Sequence, residues 1–371
     1  MDSELTYKVA FSVLSGINAE MLWHLAECDI SHEEFFTLNM PDLCARSNLK
    51  PSGALQNNAR QEALFRARKE LEFINRHGIR VLHLLDDDYP YLLKEIKDAP
   101  VTLFVLGGAD LNASPSVSIV GTRRCTGYGM NFCQQFVKDF SPYFPEATII
   151  SGLAYGIDGA AHKAAIDNNL ATVAVVAHGL DTIYPSQHRD LARKIINSGG
   201  AIVSEYPTNS RPFQRNFLQR NRIVAGLSEA TIVVESEVRG GAMSTANQAF
   251  CNSREVFAVP GRVSDVTSGG CNMLIARSKA NIFTSVPDFM NVMGWKIPSI
   301  GVPAPQKSLF PELEGEMAAV YKIIHEASQP VSIDEIHLKS SLSMPSLMSA
   351  LTDLEFEGII VKLPGARYEE C

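Results

Sequence analysis

The sequence predicts an α/β protein built around a doubly wound, mostly parallel sheet. Runs that are apolar nearly throughout are typical of strands covered on both faces. Helix-length stretches of about 10–20 residues separate these runs, and that alternation predicts parallel βαβ units. The six apolar, β-rich runs are Val117–Val120, Thr148–Ile150, Ala171–Val176, Ala201–Val203, Thr231–Val234 and Val256–Val259.

Residues 1–80 are predicted to form a separate helical domain. Apolar residues recur at spacings of three and four over Leu5–Leu14, Glu20–Glu27 and Gln61–Arg76, which is the period of an amphipathic helix. The turn between the first two helices is compatible with a helix-hairpin-helix DNA element or with a plain helical bundle. From Val81 the pattern changes to short β-rich runs, so the sheet domain is predicted over residues 81–295.

A proline-rich linker and a small C-terminal unit are predicted after the sheet domain. Four prolines mark residues 296–314 as the linker, and residues 315–371 form the tail. The order helix, helix, turn, helix, strand is typical of a winged-helix domain. Its candidate recognition helix, Ser346–Glu357, contains three acids and neither Lys nor Arg. A helix that reads duplex DNA needs cations, so protein contact or a structural role is expected for this tail. Its predicted elements are helices over Met317–Ala327, from Ser332 with a capping box to Glu335, and over Met344–Glu355, then a strand over Ile359–Leu363.

Composition and charge limit the classes of function. The net charge is −8, which does not by itself indicate a nucleic-acid partner, although a local basic patch would suffice. The seven cysteines form no CxxC pair, so neither a disulfide framework nor a zinc site is expected. No apolar run approaches the roughly 18 residues of a membrane span, and the start Met1-Asp2-Ser3-Glu4 does not suit a signal peptide. We therefore expect a cytoplasmic protein with no metal, no cofactor and no membrane contact.

Three strand-to-helix turns are candidate anion sites. Such turns at the carboxyl edge of a parallel sheet present free N–H groups to a phosphate. An arginine follows the first turn where a dinucleotide cofactor would need room, and no GxGxxG fingerprint occurs. In the helix after the second turn, Asp158 and His162 are four residues apart, and we expect them to pair. The candidate residues are Gly121, Thr122 and Arg123 in the first turn, Gly152 in the second, and Gly240, Gly241 and Ser244 in the third.

The segment from Arg211 to Arg222 is the most informative part of the sequence. It contains four arginines and two phenylalanines and no acid. Arginines interleaved with aromatic rings suit single-stranded nucleic acid, because cations follow the backbone and rings stack on bases. A solvated helix start with Phe217 in the core is the alternative. The candidate binding residues here are Arg215, Asn216, Phe217, Arg220, Asn221 and Arg222.

An ordered set of motifs between Val117 and Phe283 resembles the DprA/Smf family. These motifs are VGTRR, SGLAYGIDGAAH, YPSQHRDLARKI, SEYP, NFLQRNRIVAGLSEATIVVE, GGAMSTANQA, FAVPG and SGGCNMLIARSKA. The resemblance implies an extended Rossmann-like domain, an N-terminal SAM-like domain and a C-terminal winged helix. It also implies a homodimer that binds single-stranded DNA and helps to load RecA in natural transformation, without being an enzyme.

The resemblance also assigns residues. Arg123 matches the family's phosphate-binding arginine, and Phe217, Arg220, Asn221 and Arg222 match its NFPxRNR-type motif. Leu218 replaces the usual proline of that motif, and Arg215 is the candidate substitute for a lysine that some members carry. The segment that the resemblance implies for the dimer contact supplies Met273, Leu274, Ile275 and Ile282.

Two rival functions are open. LOG-type phosphoribohydrolases share the extended Rossmann fold and use a glutamate three residues after a threonine. Aligning that threonine on Thr245 puts Gln248 at the acid position, and an amide cannot act as a general acid or base. The other rival is a scaffold that binds proteins through its winged helix.

Overall fold

The chain folds into two compact units, Met1–Pro298 and Ser299–Cys371. The structure is a computed structural model, and it describes residues 3–296, 315–327, 330–356, 359–363 and 367–370. All but the first residue of the predicted linker, 296–314, lies outside these ranges. Within them, no helix is both long and apolar enough to span a bilayer, and no cluster of three His, Cys, Asp or Glu side chains is arranged to hold a metal.

Five helices precede the sheet, and they pack on it within the first unit. The long helix α5 (Asn57–His77) ends before Gly78, which adopts a left-handed conformation (φ 63°). Lys8 of α1 forms an ion pair with Asp86 at 2.7 Å, and the Lys8 carbonyl accepts a hydrogen bond from Thr102. The predicted domain boundary at residue 80 stays a prediction, since contacts cross it. The helices are α1 (Ser3–Val13), α2 (Ala19–Glu27), α3 (His32–Thr37), α4 (Met40–Ser47) and α5 (Asn57–His77).

The first unit contains a nine-stranded sheet with the order β1-β2-β6-β5-β4-β3-β7-β8-β9. All neighbours from β6 to β9 are parallel, whereas β1 pairs with β2 and β2 with β6 in antiparallel fashion. The predicted doubly wound, mostly parallel fold is confirmed, and each of the six predicted runs forms a strand. The strands are β1 (Arg80–His83), β2 (Thr102–Gly107), β3 (Ser116–Val120), β4 (Thr148–Ser151), β5 (Ala171–Val175), β6 (Ala201–Ser204), β7 (Ala230–Val233), β8 (Glu255–Ala258) and β9 (Asn281–Ile282).

Helices cover both faces of this sheet. Val117 and Ile119 of β3 belong to a core layer with Phe136 of α7, whereas Val120 belongs to the opposite layer with Ile223 of α10. The alternation of side chains along a strand explains why almost every residue of these strands is buried. The helices are α6 (Tyr91–Lys94), α7 (Gly127–Phe140), α8 (Ile157–Asp167), α9 (Arg189–Asn197), α10 (Gln214–Gly226), α11 (Gly241–Cys251), α12 (Gly269–Ala276) and α13 (Val286–Met293).

The sheet has a topological switch point between β3 and β7. From β3 the chain adds β4, β5 and β6 on one side, and it then returns to place β7 on the other side of β3. The helices that follow β3 and β7 consequently leave in different directions and open a crevice at the carboxyl ends of the two strands. Ligands of doubly wound sheets bind in such crevices.

The second unit has the winged-helix order. Its three-stranded sheet is ordered β10-β12-β11, and Ser332 caps α15 by accepting a hydrogen bond from the Glu335 N–H at 3.3 Å. The three predicted helices and the predicted strand are confirmed, while β10 and β12 were not predicted. Glu357, the end of the candidate recognition helix, lies outside the described residues. The elements are α14 (Gly315–His325), β10 (Val331–Ser332), α15 (Ile333–Ser340), α16 (Met344–Phe356), β11 (Ile360–Leu363) and β12 (Arg367–Glu370).

Candidate nucleic-acid interface

A pocket of about 710 Å³ lies at the switch point, above the carboxyl ends of β3 and β7. We call it the edge pocket. Eight of the predicted site residues line it: Gly121, Thr122, Arg123, Phe217, Arg220, Asn221, Gly240 and Gly241. Side chains that the sequence analysis did not select complete the lining, among them Arg124, Asp158, Gln214, Ser236, Glu237 and Thr245.

The turn after β3 presents Arg123 at the rim of the pocket. The Thr122 N–H donates to the Glu235 carbonyl at 2.6 Å, and the Glu235 carboxylate accepts from the Thr126 N–H at 2.8 Å and from its hydroxyl at 2.6 Å. These bonds fix the turn and the start of α7. Arg123 is exposed, and its guanidinium carbon lies 5.3 Å from the ring centroid of Phe217, within cation–π range. Among the described residues it has no ion-pair partner, so its charge is available to a phosphate.

The turn after β4 brings Gly152 against Arg220. A β-carbon at Gly152 would overlap the Arg220 guanidinium, so only glycine allows the side chain to reach its place. Gly152 itself does not line the edge pocket, because Arg220 lies above it. The glycine therefore contributes by admitting the arginine, rather than by the direct phosphate approach that the sequence predicted.

Arg220 forms the floor of the pocket. Its residue exposure is 5%, and Nη1 donates to the Val175 carbonyl at 3.0 Å. Burial lowers the pKa of Arg220, nearby Asp158 opposes that shift, and Arg123 adds to it. Three arginines line the pocket, with Arg220 deep and Arg123 and Arg124 nearer its opening, against two acids, Asp158 and Glu237. Cations outnumber carboxylates in the lining, which favours an entering anion.

Asp158 faces Arg220, and not His162 as predicted. Burial raises the pKa of Asp158, while Arg220 and the Ala154 N–H stabilise its charged form. His162 turns to β5, where Nδ1 lies 2.7 Å from the Thr172 hydroxyl. The predicted pairing of these two side chains is wrong, because the buried cation on α10 outcompetes a neutral imidazole one helical turn away.

The start of α10 supplies the aromatic part of the site. Phe217 is half-buried and lines the pocket beside Asn221. Arg215 is exposed but lies outside the pocket, with Phe213 and Leu218 around a separate shallow depression. Asn216 is 6% exposed and donates to the Arg211 carbonyl at 3.2 Å. The structure therefore gives Asn216 a role in fixing the loop before α10, and its predicted DNA contact stays a prediction.

The turn after β7 adds the start of α11. Gly240 and Gly241 line the pocket, and within residues 3–296 no side chain caps this helix. An uncapped N-terminus leaves backbone N–H donors and the positive end of the helix dipole for an anion. Ser244 does not line the edge pocket; it lies on the other side of α11, and Thr245 takes the position that was predicted for it.

Arg222 was predicted to belong to the site but lies outside the edge pocket. Its guanidinium forms ion pairs with Glu205 at 2.7 Å and Asp98 at 3.3 Å, and its side chain is 13% exposed. Arg222 and Ser244 line a second pocket, of about 540 Å³, on the opposite side of α10. Side chains two residues apart on a helix point in directions that differ by about 200°. The side chains of Arg220 and Arg222 therefore cannot line the same pocket. The charge of Arg222 is already neutralised within the chain.

The four predicted dimer residues do not form one surface. Leu274 is 2% exposed and belongs to the core of the first unit, because α12 turns it towards the sheet. Met273 and Ile275 are partly buried against the same core. Ile282 on the edge strand β9 is 49% exposed. The prediction that the Leu274 side chain contacts a second subunit is wrong, and Ile282 remains the accessible candidate.

The comparisons with known proteins cover both units. Residues 80–294 match the family model of DNA recombination-mediator protein A, and residues 303–366 match that of the DprA winged helix domain. The chain is similar to DNA processing protein DprA of Streptococcus pneumoniae, with 41% identity over 207 residues, 56% of this chain and 72% of that protein. It is also similar to Protein Smf of Escherichia coli, with 33% identity over 288 residues, 76% of each chain.

Two solved structures agree with this similarity. DNA processing protein A of S. pneumoniae superposes with a TM-score of 0.64 at 33% identity, over 77% of this chain and 97% of that one. DNA processing protein A of Helicobacter pylori superposes with a TM-score of 0.52 at 29% identity, over 58% of this chain and 95% of that one. The H. pylori structure concerns that protein's mode of binding single-stranded DNA.

Proposed function

This chain belongs to the DNA recombination-mediator protein A (DprA/Smf) family, and from that premise we propose that it binds single-stranded DNA at the edge pocket, without strong sequence preference. One observation carries the proposal. At the switch point, an exposed arginine without an ion-pair partner among the described residues lies over an aromatic ring, beside the uncapped start of α11. Cation, ring and N–H donors together match phosphate and base.

The preference for a single strand follows from the aromatic part of the site. A ring can stack on a base only where the face of that base is accessible, and the interior of a duplex hides base faces between neighbouring pairs. The candidate recognition helix α16 is not expected to read duplex DNA, because its described residues include Asp353 and Glu355 and neither Lys nor Arg. Phosphate and stacking contacts read no base edges, so sequence preference is expected to be weak.

Two partners are proposed for this chain, RecA and a second copy of the chain itself. We propose that the chain hands the bound strand to RecA during natural transformation and recombination, in the cytoplasm, in accordance with the recombination-mediator description of its family. We also propose a homodimer, with Ile282 on the edge strand β9 as the accessible apolar candidate. RecA filament formation on single-stranded DNA, measured with and without the chain, tests the first of these two statements.

Binding, and not catalysis, is the function proposed for this pocket. Gln248, which occupies the position of the acid in the rival hydrolase mechanism, lines the second pocket and not the edge pocket. Glu235 is 1% exposed, and both of its carboxylate oxygens accept hydrogen bonds at the start of α7. The position of the hydrolase acid thus carries an amide, and the exposed Glu237 lines the edge pocket without matching that position.

A fluorescence anisotropy titration tests the proposed function. A labelled single strand and a duplex of the same length and sequence are titrated with the full chain at several salt concentrations, and the single strand is repeated in scrambled sequence. We expect the single strand to bind at least tenfold more tightly than the duplex, with scrambled sequences equivalent. Equal affinity for both forms, or tight binding to one duplex sequence alone, would contradict the proposal.

A further inference from the structure

Tyr184 is an exposed aromatic side chain beside the edge pocket, outside the set of residues selected from the sequence. It lies in the loop after β5 and is 46% exposed. Its ring centroid is 5.8 Å from that of Phe217, at an interplanar angle of 53°. Phe217 is half-buried and also contacts the Arg123 guanidinium. The more accessible ring of the pair is therefore that of Tyr184.

The backbone at Tyr184 is held in place by a buried histidine. The Tyr184 N–H donates to His178 Nε2 at 3.1 Å, and His178 Nδ1 lies 2.9 Å from the Gly179 carbonyl. Nδ1 must carry the proton and Nε2 must accept, which defines the neutral tautomer. Burial lowers the pKa of His178 and so favours this neutral form. The backbone that carries the Tyr184 ring is thus fixed before any ligand arrives, which reduces the entropy lost on binding.

We propose that Tyr184 is a second base-stacking platform, which extends the DNA path from the switch point across β4 to the loop after β5. This inference rests on the proposed function. β3 and β5 are two strand spacings apart, about 10 Å. A path from Arg123 to Tyr184 passes the ring of Phe217, which contacts both side chains.

The distance and the angle between the two rings limit where a base can stack. A base held between two rings needs two contact gaps of about 3.5–4.0 Å, or about 7 Å in all. The separation of 5.8 Å and the tilt of 53° exclude a base between Phe217 and Tyr184. Tyr184 therefore takes a base on its solvent face, separate from the base that stacks at Phe217.

Four variants and two probes test this inference. The variants of the full chain are Tyr184→Ala, Tyr184→Leu, Tyr184→Phe and Tyr91→Ala. The last is a matched control, since Tyr91 is also 46% exposed but lies at the opposite end of the sheet, where its N–H donates to Asn112. The probes are a 20-mer of thymidylate and a strand of equal length made of abasic sites. Anisotropy gives the affinity of each pair.

Loss of one stacking platform costs about 1–3 kcal/mol, so we expect Tyr184→Ala and Tyr184→Leu to weaken thymidylate binding by about five- to 150-fold. Tyr184→Phe keeps a flat ring and should bind within about twofold of the wild type, as should Tyr91→Ala. On the abasic strand, Tyr184→Ala should match the wild type, because no base is present to stack. Tyr184→Leu keeps a bulky apolar side chain without a flat ring. Weaker thymidylate binding by this variant would therefore indicate lost stacking and not lost packing.

Two results would overturn the inference. Tyr184→Ala could bind the thymidylate strand like the wild type, or it could weaken the abasic strand by the same factor. If Phe217→Ala weakens binding while Tyr184→Ala does not, only the inference about Tyr184 fails and the proposed function stands. If the wild type does not prefer single-stranded DNA at all, the proposed function and this inference fail together.

Discussion

The salt dependence of DNA binding by Arg123→Ala is the sharpest test of the phosphate contact. Arg123 is exposed and, among the described residues, has no ion-pair partner, so its removal leaves no buried charge behind. Binding to single strands releases about 0.7 counterion per neutralised phosphate. Arg123→Ala should therefore reduce the slope of log Kd against log salt by about 0.7.

The size of the affinity loss follows from the kind of bond. A hydrogen bond to a charged group contributes about 1.5–3 kcal/mol, which is about ten- to 150-fold in Kd. The loss should be the same for every sequence, because a phosphate carries no sequence information. Arg123→Lys keeps the charge but not the planar fork, so it should retain the slope while it loses part of the affinity.

The assay is an anisotropy titration at five salt concentrations, with Arg222→Ala as the matched control. Arg222 also belongs to the basic segment, but Glu205 and Asp98 already neutralise it on the other side of α10. Its removal should leave the slope unchanged. An unchanged slope for Arg123→Ala, or a reduced slope for Arg222→Ala, would refute the placement of the phosphate contact.

Five variants at four positions test the placement of single residues. Arg222→Ala leaves Glu205 without its partner and should lower the free energy of unfolding by about 3 kcal/mol, measured by denaturant titration; an unchanged midpoint would contradict the buried ion pair. Leu274→Glu places a charge in the core and should destabilise the fold by more than about 3 kcal/mol, whereas Ile282→Glu should give a folded monomer by light scattering. The reverse pattern would restore Leu274 to the interface. Phe217→Ala should weaken DNA binding by about 1–3 kcal/mol with little salt dependence, while Phe217→Trp retains it; lost stability with unchanged affinity per folded molecule would remove Phe217 from the site.

The parallel sheet could be predicted because its signal is local and strong. Runs such as Thr231–Val234 are apolar throughout, and helices separate them. The helices α3 and α4 were not predicted, because their buried apolar side chains, Phe35 and Phe36 in α3 and Leu43 in α4, are too few to show a period. Neither β10 nor β12 of the winged helix is an apolar run, since β10 has two residues and β12 reads Arg-Tyr-Glu-Glu.

The residue types of the candidate site could be predicted from the sequence, but the directions of their side chains could not. The basic aromatic segment is visible in the sequence, yet only the orientation of α10 separates Arg220 in the pocket from Arg222 in an ion pair. The helical period carries part of that information, because residues two apart point to opposite sides. Tyr184 lies in the irregular loop after β5, and its partner Phe217 lies on α10, after β6. No local sequence pattern encodes a contact between two such distant segments.

Photo-crosslinking tests the central claim, that single-stranded DNA binds at the carboxyl edge of the sheet, most directly. A single strand that carries 5-iododeoxyuridine is irradiated with the full chain, and the crosslinked peptides are identified by mass spectrometry. We expect crosslinks to peptides that contain Tyr184 or Phe217, abolished by an excess of unlabelled single strand and not by duplex. Crosslinks confined to the tail, residues 315–371, would contradict it.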